Sequence, residues 1–233
     1  MSIQAIINTA QTMEFDLRKT IGQSISRSQR IKTAERATAQ PFVITITPIA
    51  RFRFSENRGI LETIVSADRN TETQVYIGSG NLSYITEYRG NYFTIGGGCV
   101  PNAPKIVNFT GTTVTMSIEW DGISFGCIFP SPAQYLKAGD WIQPTNSRYP
   151  YIVTADVTTA ATITGTPYNT STFTATVHRP LITSEGVAVN GQTLLYGTQT
   201  TMRVLVSQIP TYRLRQKDWA EFTDDFVLIE KVI

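Results

Sequence analysis

Two groups of residues have types that could support catalysis, and neither has the spacing that catalysis needs. His178 is the sole histidine, so any Ser-His-Asp triad would have to use it as the base. It lies shortly before Pro180, where a strand is expected to end, and this favours a structural role. Asp224 and Asp225 are adjacent, and adjacent side chains of a strand point to opposite faces. Solvated turn charges are therefore favoured over a carboxylate pair or a metal site.

The remaining chemical motifs are also weak. The run Gly96-Gly97-Gly98 is not followed by Lys-Ser or Lys-Thr, which favours a glycine-rich turn over a phosphate-binding loop. Cys99 and Cys127 are the only cysteines, too few for a disulfide framework or a zinc site. The sequence therefore predicts a protein that is not an enzyme and that takes no cofactor and no metal.

The most informative segment is a basic stretch within residues 13–48. We predict two long β-type segments around a turn near Gly22, which together make a long N-terminal hairpin. Its positive charges are Arg18, Lys19, Arg27, Arg30, Lys32 and Arg36, with Glu35 the single acid among them. Such a segment is too polar for the core of its own domain. An inter-subunit arm is favoured over a solvated hairpin, and 23–40 has no aromatic residue for stacking on nucleic acid.

A basic arm needs an acidic surface on the neighbour that it contacts. The C-terminal region supplies an acidic partner patch in Asp218, Glu221, Asp224 and Asp225. Repeated pairing of the arm with this patch would join copies of the chain around a closed ring. The sequence thus predicts an assembly component whose first partner is itself.

Composition narrows the class of protein further. Hydrophobic residues make up 41% and charged residues 16% of the chain, as in ordinary globular proteins. The net charge of +2 is small for a protein that binds nucleic acid in bulk. No signal peptide is recognisable, and no stretch reaches the roughly 18 apolar residues of a transmembrane helix. We expect a protein made in the cytoplasm and not inserted into a membrane.

Alternation of apolar and polar residues predicts an all-β, mainly antiparallel fold. The apolar members of the alternating sets are Phe42, Ile44, Ile46, Val114, Met116, Ile118, Trp120, Phe173, Ala175, Val177, Met202, Val204, Val206, Phe226 and Leu228. The segment 55–67 differs, because its apolar residues follow a helical stripe. It predicts one short helix with Ser55 as the N-cap.

A change in composition near Ser131 indicates how the chain is divided. Residues 134–190 are rich in threonine and in turn signals such as Gly139-Asp140, which predicts an inserted small β-barrel module. Within it, the polar stretch 158–172 is expected to be a loop or a mobile hairpin. Residues 1–133, completed by 191–233, are expected to form a larger β-framework.

Two parts of the sequence resemble proteins of contractile-tailed bacteriophages. QSISRSQRIKTAERATAQPFVITITP and ENRGILETIVSADRNTETQVYIG resemble structural proteins of the tail tube and baseplate. YLKAGDWIQPTNSRYPYIVTADVTTAATITG, closing on ATVHRPLI, resembles a small β-module of phage tail proteins. The shared pattern there is a Lys-Ala-Gly-Asp turn, a Tyr-Val strand and a strand that ends in Arg-Pro.

This resemblance implies a tail-tube-like β-framework with a long hairpin and one helix, in a tube-initiator, distal tail or hub-type protein. It implies a virion protein, assembled in the host cytoplasm, that forms a ring of about six copies at the junction of tail tube and baseplate. Its other partners would be adjacent tail tube and baseplate proteins, with DNA passing transiently through the lumen. Acidic lumens of such tubes make Glu72, Glu87 and Glu119 candidate lumen residues.

Two other functions stay open from the sequence. Trp141, Tyr149, Tyr151 and Tyr168 could stack on sugars, as a host-surface glycan-binding adhesin module of the tail tip would require. Packing in the core and in turns is favoured for these rings. A wall-degrading enzyme would need a catalytic carboxylate pair, and no spacing of acidic residues indicates one.

Overall fold

The structure is a computed structural model that describes residues 3–17, 21–25, 31–35, 41–49, 51–65, 71–78, 104–121, 133–159, 168–182 and 188–232. Helix α1 spans Ile3–Asn8 and helix α2 spans Phe54–Val65. The strands are β1 (Thr12–Leu17), β2 (Ile21–Ile25), β3 (Ile31–Glu35), β4 (Phe42–Thr47), β5 (Phe52–Arg53), β6 (Thr73–Tyr76), β7 (Lys105–Thr110), β8 (Thr113–Asp121), β9 (Ala133–Leu136), β10 (Trp141–Pro144), β11 (Tyr151–Ile152), β12 (Val157–Thr159), β13 (Tyr168–Thr176), β14 (Leu194–Tyr196), β15 (Thr201–Gln208), β16 (Tyr212–Arg215), β17 (Trp219–Phe222) and β18 (Phe226–Glu230). The predicted mainly antiparallel β class is confirmed.

The chain forms two compact units, residues 1–75 with 203–233 and residues 76–202. These bounds differ from the predicted framework of 1–133, completed by 191–233, and the predicted module of 134–190. In the second unit β7 and β8 form one sheet with β13, in the order β13-β8-β7. Alternation within a strand does not specify its partner, so the sequence did not show that β7 and β8 join β13.

The first unit is built on a five-stranded sheet with the strand order β1-β4-β18-β15-β6. One face is apolar and buried, as the alternating residues predicted. Its buried members include Phe42, Ile44, Ile46, Phe226, Leu228, Val204 and Val206. Ile3, Ile6 and Ile7 of α1 are buried as well. The predicted strands of this unit are confirmed, whereas α1 was not predicted, because six residues are too short for a clear helical stripe.

This unit also has a smaller sheet with the order β16-β17-β5, and its strand β5 directly precedes α2 in the chain. Phe52 packs against Phe222 with ring centroids 5.0 Å apart, and Phe54 packs against Tyr212 at 5.9 Å. The predicted helix is confirmed, and Leu61 is buried. The predicted N-cap is wrong, because the helix starts at Phe54 and the Ser55 backbone N–H donates to the distant Asp218.

The N-terminal hairpin is present and has two parts. Antiparallel pairing joins β1 to β4 and, farther along the chain, β2 to β3. The predicted turn near Gly22 is wrong, since Gly22 lies in β2 opposite Ala34 and the strands reverse between Ile25 and Ile31. Glycine in a strand need not mark a turn; here the polar run at 26–30 separates the two strands.

The second unit contains three antiparallel sheets, with the orders β13-β8-β7, β11-β10-β14 and β12-β9. Val114, Met116, Ile118, Phe173, Ala175 and Val177 are buried, as predicted. The expected loop or mobile hairpin at 158–172 is wrong for its described parts, because β12 pairs with β9 and β13 pairs with β8. Isolated bridges link Lys105 with Thr193 and Val153 with Val177. No sheet of the described strands closes into a barrel, so the small β-barrel module stays a prediction.

The Lys-Ala-Gly-Asp turn between β9 and β10 is held by two carboxylates. The buried Asp140 side chain accepts a hydrogen bond from the Lys137 backbone N–H at 2.7 Å. The exposed Asp156 side chain accepts one from the Ala138 N–H at 2.8 Å. Gly139 has a φ of 91° and donates its N–H to the Val153 carbonyl at 2.7 Å. A side chain at that residue would be strained.

We expect Asp140→Ala to lower the free energy of unfolding by about 1.5–3 kcal/mol, because the half-buried Lys137 N–H would lose a buried carboxylate acceptor. Asp156→Ala, the matched control at the same turn, should cost about 0.5–1.5 kcal/mol, because water replaces an exposed carboxylate. Urea denaturation of both variants measures the difference. Equal losses would contradict the role assigned to burial.

Candidate assembly surfaces

The distal hairpin β2–β3 is the part of the predicted inter-subunit arm that the structure describes. These two strands pair with each other and with no other described strand. Lys32 lies in β3 opposite Ser24, whereas Arg18, Lys19, Arg27, Arg30 and Arg36 lie outside the described residues. Three residues separate β1 from β2 and six separate β3 from β4. The pairing register of the β2–β3 ladder therefore differs from that of the β1–β4 ladder.

The root of the arm is anchored in the five-stranded sheet. Phe42, the first residue of β4, donates its backbone N–H to the buried Glu230 carboxylate at 3.1 Å. The Phe42 ring also meets Phe15 of β1 edge-on, with centroids 6.4 Å apart. The last pair of the β1–β4 ladder is Leu17 with Phe42. The arm therefore begins after Leu17 and ends before Phe42.

The predicted acidic partner patch is divided by contacts within the chain. Asp218 binds the first turn of α2: its carboxylate accepts from Ser55 N–H at 3.0 Å and from the Ser55 hydroxyl. Its carbonyl accepts the Phe54 N–H at 2.9 Å. Glu221 accepts a hydrogen bond from Arg215 Nε at 2.9 Å. Asp224 is exposed and accepts from the Thr223 hydroxyl, and Asp225 is half-buried.

The surface around Glu221 is basic rather than acidic. Arg213 lies opposite Glu221, and Arg215 lies opposite Trp219, which in turn lies opposite Arg53. The hydrogen bond from Arg215 holds the pKa of Glu221 below its ordinary value, and Arg51 and Arg213 act in the same direction. One carboxylate therefore faces three guanidinium groups. The alternating pattern Tyr-Arg-Leu-Arg at 212–215 signalled this face in the sequence.

The turn that carries Asp218 is strained. Lys217 and Asp218 both adopt left-handed backbone, with φ values of 62° and 65°, a conformation that costs a non-glycine residue about 1–2 kcal/mol. The interaction of Asp218 with the N-terminus of α2 offsets this cost, because four N–H groups there lack helical partners. The Arg53 guanidinium also lies 5.8 Å from the Trp219 ring centroid, beside the turn.

A groove of about 560 Å³ lies beside this basic face in the first unit. Its lining is mostly apolar and includes Ile6, Pro48, Phe52, Leu61 and the partly exposed Ile49 and Trp219, together with Arg51, Arg53 and Glu56. The basic face is thus continuous with apolar surface. Combinations of Trp and Arg with apolar neighbours are typical of protein–protein contacts.

The three candidate lumen residues differ in what the structure shows of their surroundings. Glu72 forms ion pairs with Arg203 and with Lys231, whose Nζ lies 3.0 Å from the carboxylate. The hydrogen bonds from Arg203 and Lys231 lower the pKa of Glu72. Glu119 lies in β8, with Thr170 opposite it, and Glu87 lies outside the described residues. Glu72 is therefore a charged carboxylate whose two ion pairs link β15 with the residue that follows β18.

His178 and Arg179 are structural in the second unit. His178 Nδ1 accepts the Ile152 N–H at 2.9 Å, and burial, reinforced by Arg179, lowers its pKa to about 3. The buried Arg179 donates to the Pro150 carbonyl at 2.8 Å, and its guanidinium lies 5.9 and 5.4 Å from the ring centroids of Tyr149 and Tyr151. His178 is therefore neutral at ordinary pH and has a structural hydrogen-bonding role.

The aromatic residues considered for glycan binding are largely in the core. Tyr149, Tyr151 and Trp141 are buried, and the Tyr151 hydroxyl accepts the Ile182 N–H at 3.1 Å. Buried rings cannot stack on a sugar at the surface. For Tyr168 the structure describes only its place in β13, opposite Asp121. Core packing, the interpretation favoured from the sequence, is confirmed for the first three rings.

The described part of the chain holds no group of three or more His, Cys, Asp or Glu side chains placed to bind a metal ion. Among its helices, none has the length and apolar character to cross a membrane. Asp224 and Asp225 are described, whereas the glycine run at 96–98, Cys99 and Cys127 lie outside the described residues.

No protein-family model matches the chain, and a search of curated proteins found no significant match.

We expect Lys217→Gly to raise the free energy of unfolding by about 1 kcal/mol, because glycine relieves the left-handed strain. Asp218→Ala in the adjacent residue should lower it by about 1–2 kcal/mol, because α2 loses its cap. Chemical denaturation of the two variants checks the opposite signs. A loss in both would show that the turn needs the Lys217 side chain.

The ion pairs of Glu72 predict a loss of stability on acidification. Its pKa is lower in the folded chain than in the unfolded chain, so its contribution is present above the unfolded value and disappears as pH falls through the folded one. Glu72→Gln should lower stability at pH 7 by at most about 1 kcal/mol, because the pairs are partly exposed. The difference should vanish in strong acid. Glu62→Gln in α2 is the control, and a difference that persists in acid would contradict this assignment.

The single histidine allows a direct test of its environment by NMR. Between the folded pKa of about 3 and the unfolded value of about 6.5, the unfolded chain binds one more proton, so stability falls as pH falls through this window. The imidazole signals of the folded chain should therefore stay constant from pH 8 to about 4. In urea the same signals should titrate near pH 6.5. Titration near that value in the folded chain would refute the buried, neutral assignment.

Proposed function

We propose that the chain is a non-enzymatic virion structural protein that forms a ring in a phage tail, at the junction of tail tube and baseplate. The observation that carries the proposal is the two-part hairpin: β1 and β4 belong to the main sheet, whereas β2 and β3 pair only with each other among the described strands. The resemblance of the basic segment and of the Lys-Ala-Gly-Asp module to phage tail proteins supplies the setting.

The hairpin supports assembly because a two-stranded ribbon is marginally stable without further packing. Residues 18–36 carry all six positive charges of this region, and a neighbouring copy would supply both covering surface and acidic groups. Glu230 and the Phe15–Phe42 contact fix where the arm begins. A fixed root aims the arm in one direction, as a repeated contact around a ring requires.

The contacts within the chain indicate which acidic residues could bind the arm. Asp218 already binds the N-terminus of α2, and Glu221 already binds Arg215. Asp224 and Asp225 are therefore the acceptors for the arm's arginines. A ring of about six copies would enclose a lumen through which DNA passes transiently. Glu87 and Glu119 remain its acidic lining candidates, because Glu72 is neutralised by Arg203 and Lys231. Adjacent tube and baseplate proteins would bind the two faces of the ring.

The arm can be tested by reversing its charge. Arg27→Glu with Arg30→Glu should abolish rings in light scattering and negative-stain images of the purified chain, because the arm would then repel Asp224 and Asp225. Arg58→Glu with Arg148→Glu makes the same charge change at exposed residues outside the arm and should leave rings intact. Normal rings of the first variant would refute the role of the arm.

A second variant separates folding from assembly. Leu17 lies opposite Phe42, so replacing residues 18–41 with Asn-Gly would close β1 and β4 by a two-residue turn. This shortened chain should still be folded and unfold cooperatively, since the main ladder is retained, and should be monomeric. Rings from the shortened chain would show that the arm is dispensable.

A further inference from the structure

Strands β1 and β16 of the first unit each lie at one edge of a sheet. Among the described strands, β1 pairs with β4 and β16 pairs with β17, and each is the last strand of its sheet. An edge strand presents backbone N–H and C=O groups to whatever strand comes beside it. These two edges therefore offer the same backbone chemistry on different surfaces of one chain.

The side chains of the two edges are complementary in charge. The exposed residues of β1 are Thr12, Glu14 and Asp16, which alternate with half-buried neighbours. In β16, Arg213 and Arg215 are exposed. The two like charges of each strand are two positions apart, about 6.8 Å along a strand. The acidic pair thus has the same spacing as the basic pair.

We propose that β1 of one copy pairs with β16 of the next copy, so that an acidic sheet edge meets a basic one. In an antiparallel alignment Glu14 lies opposite Arg215 and Asp16 lies opposite Arg213. Directly opposite side chains on one face of such a pair are close enough for ion pairs. The proposal rests on the proposed ring, and it names the surface through which consecutive copies join.

The same alignment also matches the apolar residues between the charges. Phe15 then lies opposite Leu214, and Leu17 lies opposite Tyr212. Leu214 is 61% exposed in the chain by itself, and this contact would cover it. A parallel alignment matches the charges and the Phe15–Leu214 pair as well, so the test relies on charge and not on strand direction.

Glu221 does not cancel the basic edge. Its carboxylate binds Arg215, while Arg213 and Arg51 lie near enough to lower its pKa further. Positive charge therefore remains on β16 for the carboxylates of a neighbour. Because the two edges are different surfaces, the contact is heterologous and repeats from copy to copy until a ring closes.

Charge-swapped variants test this pairing. Variant A carries Glu14→Arg and Asp16→Arg, and variant B carries Arg213→Glu and Arg215→Glu. Each should lose rings in sedimentation velocity and negative stain, because like charges meet at every joint. An equimolar mixture of A and B should regain rings with alternating copies, because every joint is complementary again. A single chain with all four changes should also assemble.

Circular dichroism and melting curves of A and B establish that both variants fold. The local control, Arg58→Glu with Glu62→Arg in α2, keeps the net charge and should form rings. Rings from A or B separately, or no recovery in the mixture while the wild type forms rings, would overturn the edge pairing and leave the proposed ring standing. A wild-type chain that stays monomeric at its highest soluble concentration would overturn both.

Discussion

The first unit depends on the backbone pairing of β4 with strands from both ends of the chain. On one side β4 pairs with β1, and on the other with β18. Phe42, Ile44 and Ile46 are buried at this position, and the Glu230 carboxylate at the end of β18 accepts the first N–H of β4. Because β1 and β4 are joined through 18–41, any arm formed by that segment starts from paired strands of the main sheet. A rigid root lets a polar hairpin act as a directed contact.

The charge that remains on the surface of the first unit depends on which carboxylates bind groups of their own chain. Asp218, Glu221 and Glu72 all bind groups of their own chain. Each of these contacts satisfies a helix N-terminus or a cation that folding places nearby. Residues 212–221 carry three basic and two acidic side chains, and the surface there is basic because both acids bind groups of their own chain. The predicted acidic partner patch stays a prediction at Asp224 and Asp225.

The second unit uses its unusual polar residues for internal hydrogen bonds. Asp140 holds a backbone turn, His178 accepts the Ile152 N–H, and Arg179 binds the Pro150 carbonyl beside two tyrosine rings. Buried polar groups are tolerated when they are paired in this way. The same burial removes Tyr149, Tyr151 and Trp141 from the surface. The features that suggested sugar stacking therefore stabilise the module.

The sequence by itself determined the β class, the buried residues of the strands β4, β8, β13, β15 and β18, the helix at 54–65 and the existence of the hairpin. These properties are local, because side-chain alternation and helical stripes repeat within a few residues. Only the tertiary structure decided that β7 and β8 join β13, that Asp218 caps a helix 163 residues away, and that Glu221 faces Arg215, Arg213 and Arg51. Strand partners, caps and ion pairs depend on which distant segments become neighbours, and the period of a strand or helix carries no record of that choice.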